Sequence, residues 1–361
     1  MELDEVLARR LTTQHLIGAP YADATDAVRH LFAVQSQDAP LARWSLALRC
    51  GRPSDEAIRA RVDSGAVIRT HVLRPTWHYV AAEDVRWLLD LTGPKVLRSM
   101  AARHRQLGLD DPAVLRREVD GLLALLEQQG PLTRREVASA VDRDDLRGER
   151  LGHLIMIAEL EGLVCSGPLA RGQHTYTLLE GRVPVTPAQD HDEAVRELAW
   201  RFFAGHGPAS LAQLTRWCTV TKREVLAAVA DLAGQLVRTE VAGEPHWYAA
   251  DPPTPPAAAS DDAYLFPVFD EAYLSYPGSN FPRLPGHPWG EGDAWFSEAG
   301  GGVVVHDRRD VGWWKRKDTA RTTTVTLGLA PSLSPAARTA IETEAEALAA
   351  FTDRTLDLRR T

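Results

Sequence analysis

The chain is most constrained by a helix-start signature that occurs in matching places of two successive segments. Thr133 is followed three residues later by Glu136, and Ser210 by Gln213. This is the capping box, in which a hydroxyl side chain and a carboxylate or amide side chain satisfy the first free N–H groups of a helix. Around each signature the pattern predicts helices followed by a two-stranded hairpin, which is the order of a winged-helix domain. We therefore expect tandem small domains.

Three units of this kind are predicted before residue 250. The first unit has predicted helices over 3–17, 26–34, 41–48 and 55–63 and strands over 67–73 and 76–80. The second has predicted helices over 111–129, from 133, and over 150–161, with strands over 163–166 and 175–178. The third has predicted helices over 192–204, from 210, and over 221–232, with strands over 236–241 and 246–249.

The last quarter of the chain has a different pattern. Its first residues, Asp251-Pro-Pro-Thr-Pro-Pro, predict a rigid, extended linker. Strands, an amphipathic helix over 335–351 and a charged last strand over 353–360 are predicted beyond it. The fold class expected is α+β, mainly helical. Its predicted domains are winged helix 1 over 1–92, winged helix 2 over 93–188, winged helix 3 over 189–250 and a C-terminal α+β element over 251–361.

Composition excludes several classes of protein. The 361 residues are 44% hydrophobic and 25% charged, and no apolar run approaches the ~20 residues of a membrane span. The acidic N-terminus has no signal peptide pattern, and three dispersed cysteines fit a reducing cytoplasm. Nucleotide-binding glycine motifs, zinc-protease motifs and nucleophile elbows are missing, and the histidines do not follow metal-ligand spacing. We expect a cytoplasmic, nucleoid-associated protein that needs no cofactor or metal.

Charge alone does not indicate nucleic-acid binding. The net charge is −8, but nearly all positive residues are arginines, which suit phosphate and base contacts better than lysines. Arginines and lysines cluster over 95–105 and 308–317. The simpler interpretation of each cluster is a solvated face.

Residues Gln35-Ser36-Gln37 are the most unusual polar motif. They follow the second predicted helix, and two side chains at positions i and i+2 share a direction only where the backbone is extended or turning. Two neutral amides converging on one point can hold a water molecule. Taken alone, the motif is better interpreted as a polar, exposed helix end.

The surrounding residues resemble those of a known family. Segments similar to those of the AlkZ/YcaQ-type winged-helix DNA glycosylases are residues 30–49, 69–80, 84–89, 205–217 and 267–274. The first two are specific, and the resemblance covers nearly the whole chain. One departure is Tyr276-Pro-Gly-Ser-Asn, where the family has a Tyr-x-Asp-Arg-like ending.

This resemblance implies a fold, an activity and a site. The fold is three tandem winged helices with a concave DNA-binding face. The activity is excision of alkylated or bulky purines by a monofunctional glycosylase, including unhooking of interstrand crosslinks. The catalytic residues are Gln35 and Gln37, which place the chain in the QxQ branch rather than in the sister branch with Asp at the second position. Housekeeping repair and self-resistance to an antibiotic remain equally open.

The chemistry explains how amides can suffice. An N7-alkylated guanine is cationic and leaves readily, so placing water at C1′ is the main task. Asp38 is a candidate assistant that stabilises the sugar cation, although capping of the next helix is the favoured role for its side chain. The neutral amide pair of Gln35 and Gln37 suits a lesion that is already cationic.

Further residues are candidates for contact with double-stranded DNA carrying such purines. Strand alternation in the first hairpin predicts that Arg69 and His71 share one polar face. The full set of DNA-contact candidates is Arg43, Trp44, Arg69, His71, Arg74, Thr76, His78, Arg171, Gln173, His174, Lys315 and Arg316. The protein is expected to be a monomer without a membrane partner. Two alternatives remain: a non-catalytic DNA-binding regulator and a winged-helix scaffold for proteins.

Overall fold

The computed structural model describes residues 1–141, 143–255, 262–278, 280–288 and 300–361. Its helices are α1 Leu3–Thr13, α2 Ala24–Leu31, α3 Ala39–Arg49, α4 Asp55–Asp63, α5 Val85–Gln106, α6 Pro112–Gln129, α7 Arg134–Val141, α8 Gly148–Leu160, α9 His191–His206, α10 Leu211–Trp217, α11 Lys222–Asp231, α12 Glu271–Leu274 and α13 Pro335–Phe351. Its strands are β1 Ala33–Gln35, β2 Val67–His71, β3 Trp77–Ala81, β4 Leu132–Thr133, β5 Val164–Ser166, β6 Thr175–Leu178, β7 Leu236–Val241, β8 Glu244–Ala249, β9 Ala263–Pro267, β10 Gly301–His306, β11 Arg309–Asp318, β12 Thr322–Leu329 and β13 Thr355–Arg360. The fold is therefore α+β and mainly helical, as the sequence predicts.

The described residues form two compact units, each built from separate stretches of chain. The first comprises Met1–Ile58, Trp200–Leu214 and Leu232–Thr361, and the second comprises Arg59–Ala199 and Thr215–Asp231. The domain boundaries expected from the sequence stay predictions. The proposed linker over 251–256 has no regular structure in residues 251–255, and Pro256 lies outside the described residues.

The first unit contains a five-stranded sheet with the order β13-β12-β11-β10-β9. Its neighbouring strands are antiparallel except for β12 and β13, which run parallel. Two buried indoles hold strand β9: Trp44 of α3 donates to the carbonyl of Leu265, and Trp314 of β11 donates to that of Phe266. The Trp44 ring also packs against Phe351 of α13, so helices and sheet share one core.

The second unit has a helical core. Its buried cluster includes Val119 and Leu122 of α6 and Leu154 and Ile155 of α8, and it extends to Val164 of β5. The small sheet β4-β6-β5 and the antiparallel pair β2–β3 belong to this unit.

Both capping boxes that led the sequence analysis are confirmed. The Thr133 N–H and hydroxyl donate to the Glu136 carboxylate, and the Glu136 N–H donates back to the Thr133 hydroxyl. The Ser210 N–H donates to the Gln213 side chain over 2.9 Å, and the Gln213 N–H returns a bond to the Ser210 hydroxyl.

Several elements differ from the prediction, and three of them bear on the site or its surroundings. The long helix α5 was not predicted, because Gly93-Pro94 inside it reads as a helix end; the glycine is needed because a Cβ there would lie 2.5 Å from the carbonyl oxygen of Leu160. Strand β1 replaces the predicted end of the second helix. The basic residues 313–317, interpreted as a solvated run, lie within the ten-residue strand β11.

The described residues contain no helix long and apolar enough to cross a membrane. Cys50, Cys165 and Cys218 are free thiols.

Candidate active site and DNA-contacting residues

The Gln35-Ser36-Gln37 motif lies in extended and turning backbone between α2 and α3. Helix α2 ends at Leu31, and the next residue, Phe32, has a φ of 71°, which redirects the chain into β1. The motif is thus not the exposed helix end that its residues alone indicated. Gln35 is 5% exposed and Ser36 is fully buried, whereas Gln37 is exposed. Only the second amide of the pair is open to solvent.

A buried carboxylate holds the backbone of this motif. The Gln35 N–H donates to Oε1 of Glu271 over 2.9 Å, and the Ser275 hydroxyl donates to Oε2 over 2.7 Å. The Nε2 of His206 lies 3.5 Å from the same Oε2. Burial alone would raise the pKa of Glu271, but the hydrogen bond and charge of His206, with Ser275 and Gln35, lower it to about 2. Glu271 is therefore a buried anion directly beside the motif.

The preceding residue, Asp270, forms a second buried ion pair. Arg49, at the end of α3, donates to both carboxylate oxygens of Asp270 at 2.8 and 3.1 Å, and both side chains are fully buried. The Ser45 hydroxyl adds a 2.6 Å bond to the same carboxylate, which also accepts the N–H of Ala272 at the start of α12. This pair fixes α3, and with it the end of the motif, to α12.

A glycine lets the end of α9 approach the motif. A Cβ on Gly205 would lie 2.5 Å from the carbonyl oxygen of His30 near the end of α2. Because the next residue is His206, this close approach places the imidazole beside Glu271.

Tyr276 ties the same network to α1. Its hydroxyl accepts a 2.8 Å bond from the Gln14 side chain and donates to the carbonyl of His206 over 2.7 Å. The Arg10 guanidinium lies 3.8 Å from the centre of its ring. Although the residues after Tyr276 depart from the family pattern, Tyr276 itself is part of the support for the motif. Of those residues, Ser279 lies outside the described part of the chain.

Asp38 has the capping role that the sequence analysis favoured. Its Oδ1 accepts the N–H of Leu41 over 3.1 Å, at the start of α3. Two arginines lie in the same region: Arg43 donates to Asp55 over 2.5 Å, and the side chain of Arg316 is 9% exposed and lies 3.4 Å from Asp318. Burial lowers the pKa of Arg316, while the charges of Asp318 and Asp38 oppose that change.

Two DNA-contact predictions are corrected by burial. Trp44 has no exposed surface and uses its indole N–H on the Leu265 carbonyl, and His78 also has none. Both side chains therefore pack in the interior. The sequence alone does not distinguish such side chains from ones that contact a DNA groove, because an amphipathic aromatic ring can pack in an interior or contact a base.

Arg69 and His71 share one face of β2, as the alternation predicts, because both contact the Trp77 ring, but that face is not exposed. All five residues of the strand are buried, so neither face is open to solvent. His71 is bonded through Nδ1 to Glu159 over 2.5 Å, and the guanidinium of Arg69 lies 4.4 Å from the centre of the Trp77 ring. These groups form a packed cluster of charge and aromatic rings within the second unit.

The remaining candidates are more accessible. Arg171, Gln173 and Lys315 are exposed, and Arg74, Thr76 and His174 are partly exposed. Burial lowers the pKa of His174 well below its usual value, and the charges of Arg69 and His71 act in the same direction. Gln173 and His174 line a surface cavity of about 510 Å³ with Arg134 and Arg135 at the start of α7.

Sequence reasoning missed Asp270 and Glu271. The segment that contains them was noted only as similar to a family segment. A signal was present, since adjacent carboxylates directly after an apolar strand are costly to bury without partners. Within the described residues, no three His, Cys, Asp or Glu side chains are grouped as a metal site.

Comparisons with known proteins identify the family to which the chain belongs. Residues 28–351 match the family model described as DNA glycosylase AlkZ-like. A relative from Streptomyces sahachiroi, named interstrand DNA cross-link repair glycosylase, is 26% identical over 340 residues, which is 87% of this chain and 88% of the relative. The solved structure of Streptomyces sahachiroi DNA glycosylase AlkZ matches all of both chains with a TM-score of 0.74 at 21% identity.

Proposed function

We propose, from the premise that the chain belongs to the AlkZ-like DNA glycosylase family and is a DNA glycosylase, that its substrates are purines alkylated at N7 or N3 or carrying bulky adducts. The comparisons with known proteins confirm the predicted family and the predicted enzyme class. The finer proposal rests on one observation: the motif carries two neutral amides, one buried at the end of β1 and one exposed two residues later.

Such a pair fits a leaving group that is already activated. In an N7-alkylated guanine the ring is cationic, so the C1′–N9 bond breaks with its electrons returning to the purine. Water then forms the new O–C1′ bond and releases its proton to solvent. Gln35 and Gln37 orient that water, and positioning of this kind supplies a large part of a rate enhancement. An undamaged base is a poorer leaving group and would need an acid that this motif does not offer.

The wider proposal concerns fold and lesion size. We propose that the chain is built as three tandem winged helices and binds duplex DNA as a monomer in the cytoplasm. The relative from Streptomyces sahachiroi is named for repair of interstrand crosslinks, and this supports unhooking of crosslinks as a proposal here. Resistance to a DNA-alkylating natural product is proposed with it as one use of that activity. Bulky lesions enter a tight pocket poorly, which favours excision without full base flipping.

Among the predicted DNA contacts, the accessible side chains support the proposal best. Arg171 and Gln173 occupy the loop between β5 and β6, where a wing is expected, and Lys315 is exposed on β11. Arg43, Arg69, His71 and Arg316 are largely buried and engaged with neighbouring side chains. We propose that these four do not supply phosphate contacts.

The decisive experiment is excision of N7-methylguanine from duplex DNA. The product is an abasic site, which hot alkali converts to a strand break. Wild-type protein should give breaks at the lesion, and the Gln35→Ala/Gln37→Ala double variant should give none above background. Gln128→Ala/Gln129→Ala removes two exposed amides at the end of α6 and serves as the matched control. Equal cleavage by both double variants would exclude the amides as catalytic groups.

A second experiment separates the lesion classes. Duplex joined by an N7–N7 guanine crosslink migrates more slowly than single strands on a denaturing gel. Unhooking should release the faster strands, and excision of methylguanine without unhooking would restrict the proposal to single-strand adducts.

A further inference from the structure

We propose that Glu271 is a positioning residue for excision, which sets the direction of the Gln35 side chain by accepting its backbone N–H. The inference rests on the proposed role of Gln35. It is carried by geometry: a fully buried carboxylate from α12 reaches the end of β1, where the 2.9 Å bond to Gln35 is formed.

The carboxylate is itself held on its other oxygen. Ser275, one turn later on α12, donates to Oε2, and His206 approaches the same atom from the end of α9. Because Oε2 is held in this way, Oε1 has little freedom to leave the Gln35 N–H. The adjoining bond between Arg49 and Asp270 fixes the start of α12 in the same unit. Glu271 is therefore a rigid acceptor.

β1 is a short strand that ends at the residue bonded to Glu271. It begins directly after the turn at Phe32 and ends at Gln35, whose N–H donates to the Glu271 carboxylate. The direction of a side chain follows from the backbone of its residue, and a shift of about 1 Å in a reacting geometry can lower a rate by about 10²-fold. Loss of the Glu271 carboxylate should thus affect chemistry more than binding.

The first arm of the test measures the bond without any substrate. Amide hydrogen exchange of the full-length protein, resolved at Gln35, should be slow in the wild type and at least about 10-fold faster in Glu271→Ala. Glu271→Gln keeps an oxygen acceptor at the same place and should retain most of the protection. Unchanged exchange at Gln35 in Glu271→Ala would overturn the proposal.

The second arm measures single-turnover excision of N7-methylguanine and duplex affinity. Glu271→Ala should lower the excision rate about 10²-fold and leave the dissociation constant for duplex within about 2-fold, and Glu271→Gln should recover at least about a tenth of the wild-type rate. Glu344→Gln is the matched control, since Glu344 is another buried carboxylate of the same unit, paired with Arg52. A merely structural role would lower affinity and rate together and would not be rescued by glutamine.

The outcomes separate this inference from the proposed function. If Gln35→Ala abolishes excision while Glu271→Ala excises at the wild-type rate, the positioning role is wrong and the proposed function stands. If the wild type excises nothing, the proposed substrate is wrong, and the exchange arm still decides whether Glu271 holds Gln35.

Discussion

The backbone N–H of Gln35 is bonded to Oε1 of Glu271, a residue 236 positions later in the chain. The first helices and the last quarter of the sequence therefore belong to one unit and build the motif together. A truncated protein lacking residues after 250 would lose the acceptor for Gln35. The C-terminal element is thus part of the candidate site.

Acid should weaken the native state through Glu271. Its folded pKa is about 2, below its ordinary value of 4.5, so the unfolded chain binds more protons than the native state between these values. The contribution is present above pH 4.5 and is lost as the pH falls through 2. Urea unfolding of wild type and Glu271→Gln at pH 7, 4.5 and 3 should show the advantage of the wild type shrinking with acidification. An advantage that is constant over this range would contradict the lowered pKa.

Glu344 should act in the opposite direction. Burial raises its pKa to about 7, although Arg52 opposes the shift by its charge and hydrogen bond. The native state then binds more protons than the unfolded chain between pH 4.5 and 7, so this stabilising contribution is full below 4.5 and is lost as the pH rises through 7. Glu344→Gln should flatten the fall in unfolding free energy over that window. If the unfolding free energy of the variant falls with pH as steeply as that of the wild type, another group causes the pH dependence.

The sequence predicts features that are contained in one segment, and it does not predict contacts between distant segments. Local patterns predicted both capping boxes and the bounds of α4 and α13, because a hydroxyl followed by an acid or amide, or an apolar stripe, is contained in one segment. The family resemblance pointed to Gln35 and Gln37. Glu271 was missed, because a contact across 236 positions leaves no local pattern. Trp44 was misplaced because its partner, the Leu265 carbonyl of β9, lies 221 positions later in the chain, and the burial of His78 is likewise not visible in its local pattern.

The buried pair between Arg49 and Asp270 should be costly to break. Arg49→Met leaves the Asp270 carboxylate buried without its cation, and loss of one partner of such a pair costs about 3–5 kcal/mol. Arg29→Met breaks an exposed pair with Asp26 in the same unit and should cost less than about 1 kcal/mol. Urea unfolding at pH 7 measures both. Equal effects would mean that the carboxylate of Asp270 regains solvent or another partner.

Lys315 should supply one phosphate contact if the exposed part of β11 faces DNA. Each phosphate neutralised by a cation releases condensed counterions, and the slope of log affinity against log salt changes by about 0.9 per contact. Lys315→Ala should therefore reduce the magnitude of that slope by about 0.9 for undamaged duplex, with no change in the excision rate at saturating protein. Arg360→Ala removes one charge from the edge strand β13, where the arginine is bonded to Glu342, and should leave the slope unchanged. Fluorescence anisotropy titrations at several salt concentrations give both slopes. If the two variants behave alike, the effect is one of net charge, and Lys315 makes no contact of its own.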